Sequence, residues 1–183
     1  MRVLSLAGAL LLLSAGCSKP APPPAPASSA KKPAAQTPGR GIRIGAPGRF
    51  VLGINYPWLN YGHDFGVTSA WSHDGASNPV MNAKIRQDFA WLKTNGIHVI
   101  RWFLFADGRA SPDFEADGSV KGFDRYFYKD MDAALAIAQE NDMAIVFVLF
   151  DYLMCEDARV DHDVQLGGRA SLIVDPAKRQ SLI

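Results

Sequence analysis

One guanidinium sits inside an otherwise apolar run, Arg101 within Ile97–Phe105 (IHVIRWFLF). A charge is costly to bury there unless it meets a carboxylate. It therefore serves a site or closes an ion pair across a sheet. Polar and aromatic residues also end the two neighbouring apolar runs: Asn55 and Tyr56 close Arg49–Tyr56, and Asp151 and Tyr152 follow Met143–Phe150. Amide, phenol and carboxylate groups in such places can exchange hydrogen bonds with a polyhydroxylated ligand, and they are equally ordinary ways to begin a loop. Asp107, in FADGR, is a further acceptor of this kind, while Asp-Gly is also a plain turn signal. Trp58, Tyr61, Trp71 and Trp102 supply flat rings that either cover the apolar face of such a ligand or pack onto the rim of the fold.

Other chemistry finds less support. The four histidines, His63, His73, His98 and His162, lack the close paired spacing of helix-borne zinc ligands. The acidic groups around Asp113–Asp117 and Asp157–Asp163 lack the glycine and terminal glutamate of a calcium loop. No metal is expected. Cys155 has no histidine at a recognisable spacing and reads as a small, partly buried side chain.

The elements that must position these residues can be read from punctuation and periodicity. Arg49–Tyr56 suits a first buried strand. Asn78 and Pro79 provide an N-cap and first helical residue, Gly96 a stop, and Met81, Ile85, Phe89 and Leu92 one apolar stripe between them. Ile97–Phe105 and Met143–Phe150 are nearly continuous apolar runs, as strands covered on both faces are. Between them Asp124–Asn141 reads as a helix with Phe127, Met131, Leu135 and Ala138 on its buried side. Asp175-Pro176 opens a further helix over 177–183. Strand–helix alternation of this kind is the pattern of βαβ units and a parallel sheet.

The chain has 183 residues, net charge +1 and 48% hydrophobic residues, the composition of a globular protein. Its charge is uneven. Residues 1–63 hold seven basic residues and no acidic one, which leaves residues 64–183 with 12 basic against all 18 acidic residues. An acidic body argues against nucleic acid as a partner. Met1–Arg2, the eleven-residue run Val3–Leu13, and Ser14-Ala15-Gly16 before Cys17 are too short to span a bilayer, which takes roughly 20 apolar residues, and read as an export signal. The pattern resembles a bacterial lipoprotein signal, with the leucine one place earlier than that signal usually has it. The resemblance implies a signal over 1–16, a lipidated Cys17 at the mature N-terminus and a membrane anchor on the periplasmic or cell-surface side of the envelope. An ordinary cleaved signal with Cys17 as a bystander is the alternative. Seven of the twelve prolines fall in residues 18–40, so 17–40 is expected to be a disordered, extended tether ahead of a folded body at 41–183.

Two parallel-sheet architectures compete for that body. A doubly wound nucleotide fold calls for a glycine-rich turn after the first strand, and Tyr56–Tyr61 (YPWLNY) has none. Long aromatic loops after successive strands instead suit a (β/α)8 barrel, whose site is built from such loops. A full barrel takes about 250 residues, whereas 41–183 accommodates about three βα units. The α/β fold expected is therefore the N-terminal part of a TIM barrel.

GINYPWLNYGHDFG, WLKTNGIHVIRWFLFADGR and the run ending in LFDY together resemble the N-terminal part of (β/α)8 glycoside hydrolases of the clan that includes the family 5 cellulases and mannanases. The resemblance covers about residues 48–183. It implies a polysaccharide or oligosaccharide substrate with β-linked sugars, no cofactor, and a retaining mechanism using two glutamates on the fourth and seventh strands. Neither strand is among the elements read here, so neither glutamate can be assigned, and the chain as given is expected to be inactive. Arg101 would support the nucleophilic glutamate. Asn55, Tyr56, Trp58, Trp71, Trp102, Asp107, Asp151 and Tyr152 would face the sugar. A non-catalytic carbohydrate-binding envelope lipoprotein is the alternative expectation.

Overall fold

A computed structural model describes Ile44, Gly48 and residues 50–183 except Ser69. The expected signal at 1–16, the Cys17 anchor and the 17–40 tether lie outside the described residues.

The elements follow in the order β1 (Gly53–Asn55), α1 (Pro79–Thr94), β2 (Val99–Phe103), β3 (Asp113–Phe114), β4 (Val120–Gly122), α2 (Phe127–Glu140), β5 (Ala144–Val148), β6 (Arg159–Asp161), β7 (Val164–Leu166), α3 (Ser171–Val174) and α4 (Pro176–Ser181). Three of the strands build a parallel sheet in the order β1-β2-β5, so the sheet grows in chain order without a reversal. In register, Asn55 pairs with Arg101, and Arg101 with Val146. The antiparallel pairs β3–β4 and β6–β7 are separate small hairpins in the loops that follow β2 and β5.

Local chemistry sets the helix limits. The Asn78 side chain accepts from the Val80 and Met81 amides, Pro79 begins the coil, and Gly96 takes a φ of +79° beyond its end. Asp175 does the same for α4 by accepting from the amides of Ala177 and Lys178. Ile85, Phe89 and Leu92 of α1 bury against Ile100 and Trp102 of β2. On α2 the buried face is Phe127, Asp130, Ala134, Ile137 and Ala138, while Leu135 is 48% exposed. The apolar stripe read from the sequence is thus turned by part of a turn, because a buried aspartate occupies a place on the inner face.

The sheet also departs from the expectation of two covered faces. Ile100 and Trp102 are fully buried under the helices, whereas Arg101 and Val146 are exposed on the opposite face. Successive strand residues point to opposite sides, and among the described residues only one side is packed. β1 and β5 are the sheet's two edges.

Candidate functional site

The loop joining β1 to α1 carries Tyr56, Trp58, Tyr61, Phe65 and Trp71, and buried or half-buried carboxylates fix its path. Asp64 accepts from the Leu59 amide at 2.7 Å, the Asn60 amide at 2.8 Å and Trp102 Nε1 at 2.8 Å, which ties the loop to β2. Asp130 of α2, fully buried, accepts from the Gly66 and Ser77 amides, Ser77 Oγ and His73 Nε2. Asp124 accepts from the Val67 amide at 2.9 Å. Gly66 is obligatory in this path: its φ is +89°, and a Cβ there would collide with Ser111 Oγ and Asp124 Oδ2.

The fourth carboxylate is Asp107. It is fully buried and receives Arg109 Nε at 3.0 Å, Arg109 Nη2 at 2.9 Å, the Tyr61 hydroxyl at 3.1 Å and Arg159 Nη2 at 3.3 Å. Its backbone carbonyl accepts from the Gly167 amide. Asp107 therefore joins the β1–α1 loop, the β2 loop and the β6–β7 hairpin at one point. Burial alone would raise its carboxyl, but the Arg109 hydrogen bonds and charge, with Tyr61 added, hold it below the usual carboxylate range. The same contact raises the Arg109 guanidinium. Burial and the neighbouring Asp107 charge push the Tyr61 phenol up to about 12. Asp64 moves the opposite way to Asp107: burial raises it to about 6 against the pull of its three N–H donors. Burial, then the Arg109 charge, lowers His63.

These anchors hold a continuous belt of rings and guanidinium groups at the C-terminal end of the sheet. The Arg101 guanidinium lies 4.4 Å above the Phe103 ring, and Phe103 lies 6.0 Å from Trp58. Trp58 meets Tyr61 edge-on at 4.8 Å, and Arg109 covers Tyr61 at 4.6 Å. Arg109 reaches Trp71 at 5.7 Å, and Trp71 contacts His63 at 4.9 Å and His162 at 6.0 Å. Trp58, Tyr61 and Trp71 are all partly exposed. Such a surface can stack on the apolar faces of a ligand and offer cationic N–H donors to its oxygens.

The structure sorts the residues singled out by sequence. Asn55 and Arg101 are register partners on the open face of the sheet, both exposed, and among the described residues Arg101 has no carboxylate in an ion pair. Trp58 and Trp71 belong to the belt. Trp102 does not: strand alternation sends it under the helices, packed on Phe65 and Phe89, with its N–H spent on Asp64. Tyr56 also turns inward, 5.1 Å from Trp102, and donates its hydroxyl to Asp88 of α1 at 2.8 Å. The expectation that these two face a ligand is corrected accordingly. Asp107 is corrected from ligand acceptor to internal anchor, since Tyr61, Arg109 and Arg159 already surround its oxygens. The Asp151 carboxylate caps the 3-10 turn Tyr152–Met154 by accepting from the Leu153 amide, and Tyr152 is 70% exposed. Cys155, expected to be partly buried, is exposed. Sequence reading missed Arg109, Arg159, Asp124 and Asp130 as site-building residues. The Asp-Gly-Arg triplet at 107–109 was the one local signal for an Asp–Arg pair.

No family model matches the chain. Comparison with known proteins nonetheless finds consistent relatives. A mannan endo-1,4-β-mannosidase of Mytilus edulis is 29% identical over 134 residues, 73% of this chain and 32% of the relative. A second mannan endo-1,4-β-mannosidase, from Cryptopygus antarcticus, is 25% identical over 62% of this chain and 28% of its own length. The solved structure of the Mytilus edulis β-mannanase superposes with a TM-score of 0.57 at 28% identity, over 72% of this chain and 33% of that one. Its homologues are glycoside hydrolases. The structural neighbours have the TIM-barrel fold, and the described residues form a partial α/β version of it. The chain spans about a third or less of the length of the curated relatives it matches.

Proposed function

We propose that this chain is the front part of a glycoside hydrolase barrel acting on a β-linked, mannan-type glycan, exported and tethered to the cell envelope through Cys17. The belt from Arg101 to Trp71 is the observation that carries the reading. It presents partly exposed aromatic rings and guanidinium donors where the loops of a barrel meet their substrate, and polysaccharide-cleaving relatives share this part of the fold.

Retaining hydrolysis takes two carboxylates about 5 Å apart. Among the described residues, the open face of the sheet carries Asn55, Arg101, Phe103 and Val146 and no carboxylate, and Glu115, Glu140 and Glu156 all lie off the sheet. We therefore assign the reacting carboxylates to glutamates on the later strands that the family resemblance implies, with Arg101 supporting the nucleophile. The 183-residue chain binds glycan without cleaving it.

Electrophoresis through a gel containing soluble β-mannan, paired with a reducing-sugar assay, tests both halves. The expected result is retarded migration, no sugar release, and loss of retardation in Trp58→Ala and Trp71→Ala. Unchanged mobility of the unmodified chain in mannan would overturn the binding site, and sugar release by the chain would overturn the placing of the carboxylates. A purely carbohydrate-binding lipoprotein is the second reading, favoured by a belt that is complete within the described residues.

A further inference from the structure

The belt ends at Trp71, and the ring beyond it, His162, stands at the tip of the β6–β7 hairpin. The base of this hairpin is fixed. Arg159 donates to the Asp107 carboxylate at 3.3 Å, the Gly167 amide donates to the Asp107 carbonyl at 2.8 Å, and a Cβ on Gly167 would crowd the carbonyls of Leu153, Glu156 and Asp157. Arg159, Val160 and Asp161 pair in register with Leu166, Gln165 and Val164, which leaves a two-residue turn, His162-Asp163. Both turn residues have positive φ, +48° and +63°. Such a turn ordinarily takes Asn-Gly, the pair that adopts this backbone at least cost. An imidazole at its first position is therefore nothing the hairpin itself requires, and unfavoured backbone of this kind gathers where side chains have work outside the fold. The ring is also held in place. His162 Nδ1 lies 2.7 Å from Asp161 Oδ1; a carboxylate accepts, so Nδ1 carries the proton, and Nε2 has no partner among the described residues. The ring meets Trp71 edge-on at 6.0 Å, and the side chain is 71% exposed. An oriented, solvent-facing imidazole with one uncommitted nitrogen thus stands beside the last ring of the belt.

We propose that His162 is a further glycan-binding residue, its Nε2 exchanging a hydrogen bond with a hydroxyl of the sugar unit seated against Trp71, and that the β6–β7 hairpin is the wall that ends the belt. The proposal rests on the glycan reading of the belt. A sugar hydroxyl both donates and accepts, so it suits Nε2 in the neutral ring and in the protonated one. Asp161 acts through the imidazole as a positioning residue, because its carboxylate fixes which nitrogen is spent within the hairpin.

The test is isothermal titration of the full chain with β-1,4-mannohexaose. His162→Asn removes the imidazole while keeping a residue that tolerates the left-handed backbone, and His162→Asn/Asp163→Gly installs the relaxed turn. Both should fold, with melting temperatures no lower than that of the unmodified chain. Each should bind the hexaose about three- to tenfold more weakly, the loss of one hydrogen bond. In NMR spectra of the unmodified chain, the imidazole signal that is missing from His162→Asn should shift when the hexaose is added. Native affinity in both variants, with Trp71→Ala still abolishing binding, would overturn the hairpin contact and leave the belt standing. Weakening in the double variant alone would assign the effect to the turn and overturn the role of the imidazole. No binding by the unmodified chain would overturn the belt and the hairpin contact together.

Discussion

Replacing Asp107 by asparagine tests the central structural claim, that one carboxylate holds three loops in place. In the native protein the side chain of Asp107 is fully enclosed and that of Arg109 is 15% exposed, with a two-pronged contact between them. Removing one member of a buried pair typically costs 3–5 kcal/mol, since the remaining charge loses its partner in a low-dielectric site. The Arg159 contact adds little, because that side chain is 53% exposed and solvent screens it. With some solvent access at Arg109, about 3 kcal/mol is the expected loss, or about 10 °C in the melting temperature of a domain this size. Thermal unfolding followed by circular dichroism reads it directly. The double variant Asp107→Asn/Arg109→Gln should be less destabilised than the sum of its singles, since the second change removes the stranded charge. The pH dependence has a fixed sign. The Asp107 carboxyl is lowered in the fold from an ordinary 3.8, so its contribution is present above that value and lost as pH falls through the folded pKa. The gap between native and Asp107→Asn proteins should therefore be widest near neutrality and shrink below about pH 4. A melting temperature within about 2 °C of native, or additive singles, would refute the reasoning.

Three further outcomes are expected. Asp64 is raised from 3.8 to about 6 by burial, so the folded protein keeps a proton that the unfolded chain releases between those values. Stability should fall as pH rises from about 4 to 6, by on the order of 3 kcal/mol, and the fall should be missing in Asp64→Asn during denaturant titrations at each pH. Trp102→Ala should cost about 3–5 kcal/mol by emptying the core beside Phe65 and Phe89 and stripping Asp64 of a donor, measured by urea unfolding. Arg101→Ala should change stability by less than about 0.5 kcal/mol in the same experiment, because Arg101 is exposed and unpaired with any described carboxylate.

Helix limits and strand positions were legible because their causes are local. Asn78-Pro79, Gly96 and Asp175-Pro176 act on amides within three residues of themselves, and the stripe Ile85, Phe89 and Leu92 repeats with the turn of the coil. The loop residues Trp58 and Trp71 could likewise be named, since an aromatic cluster outside a strand or helix needs no partner to be visible. What sequence alone could not decide was direction and partnership. Alternation requires Arg101 and Trp102 to face apart, but only the placement of α1 and α2 settles which of them is buried. The anchors were hidden for a related reason. Asp64 reaches Trp102 across 38 positions and Asp130 reaches Gly66 across 64, so each carboxylate is tied to a partner far from it in sequence. Local spacing carries no trace of such a contact, because burying a carboxylate is favourable only when distant N–H groups converge on it, and that convergence belongs to the tertiary structure.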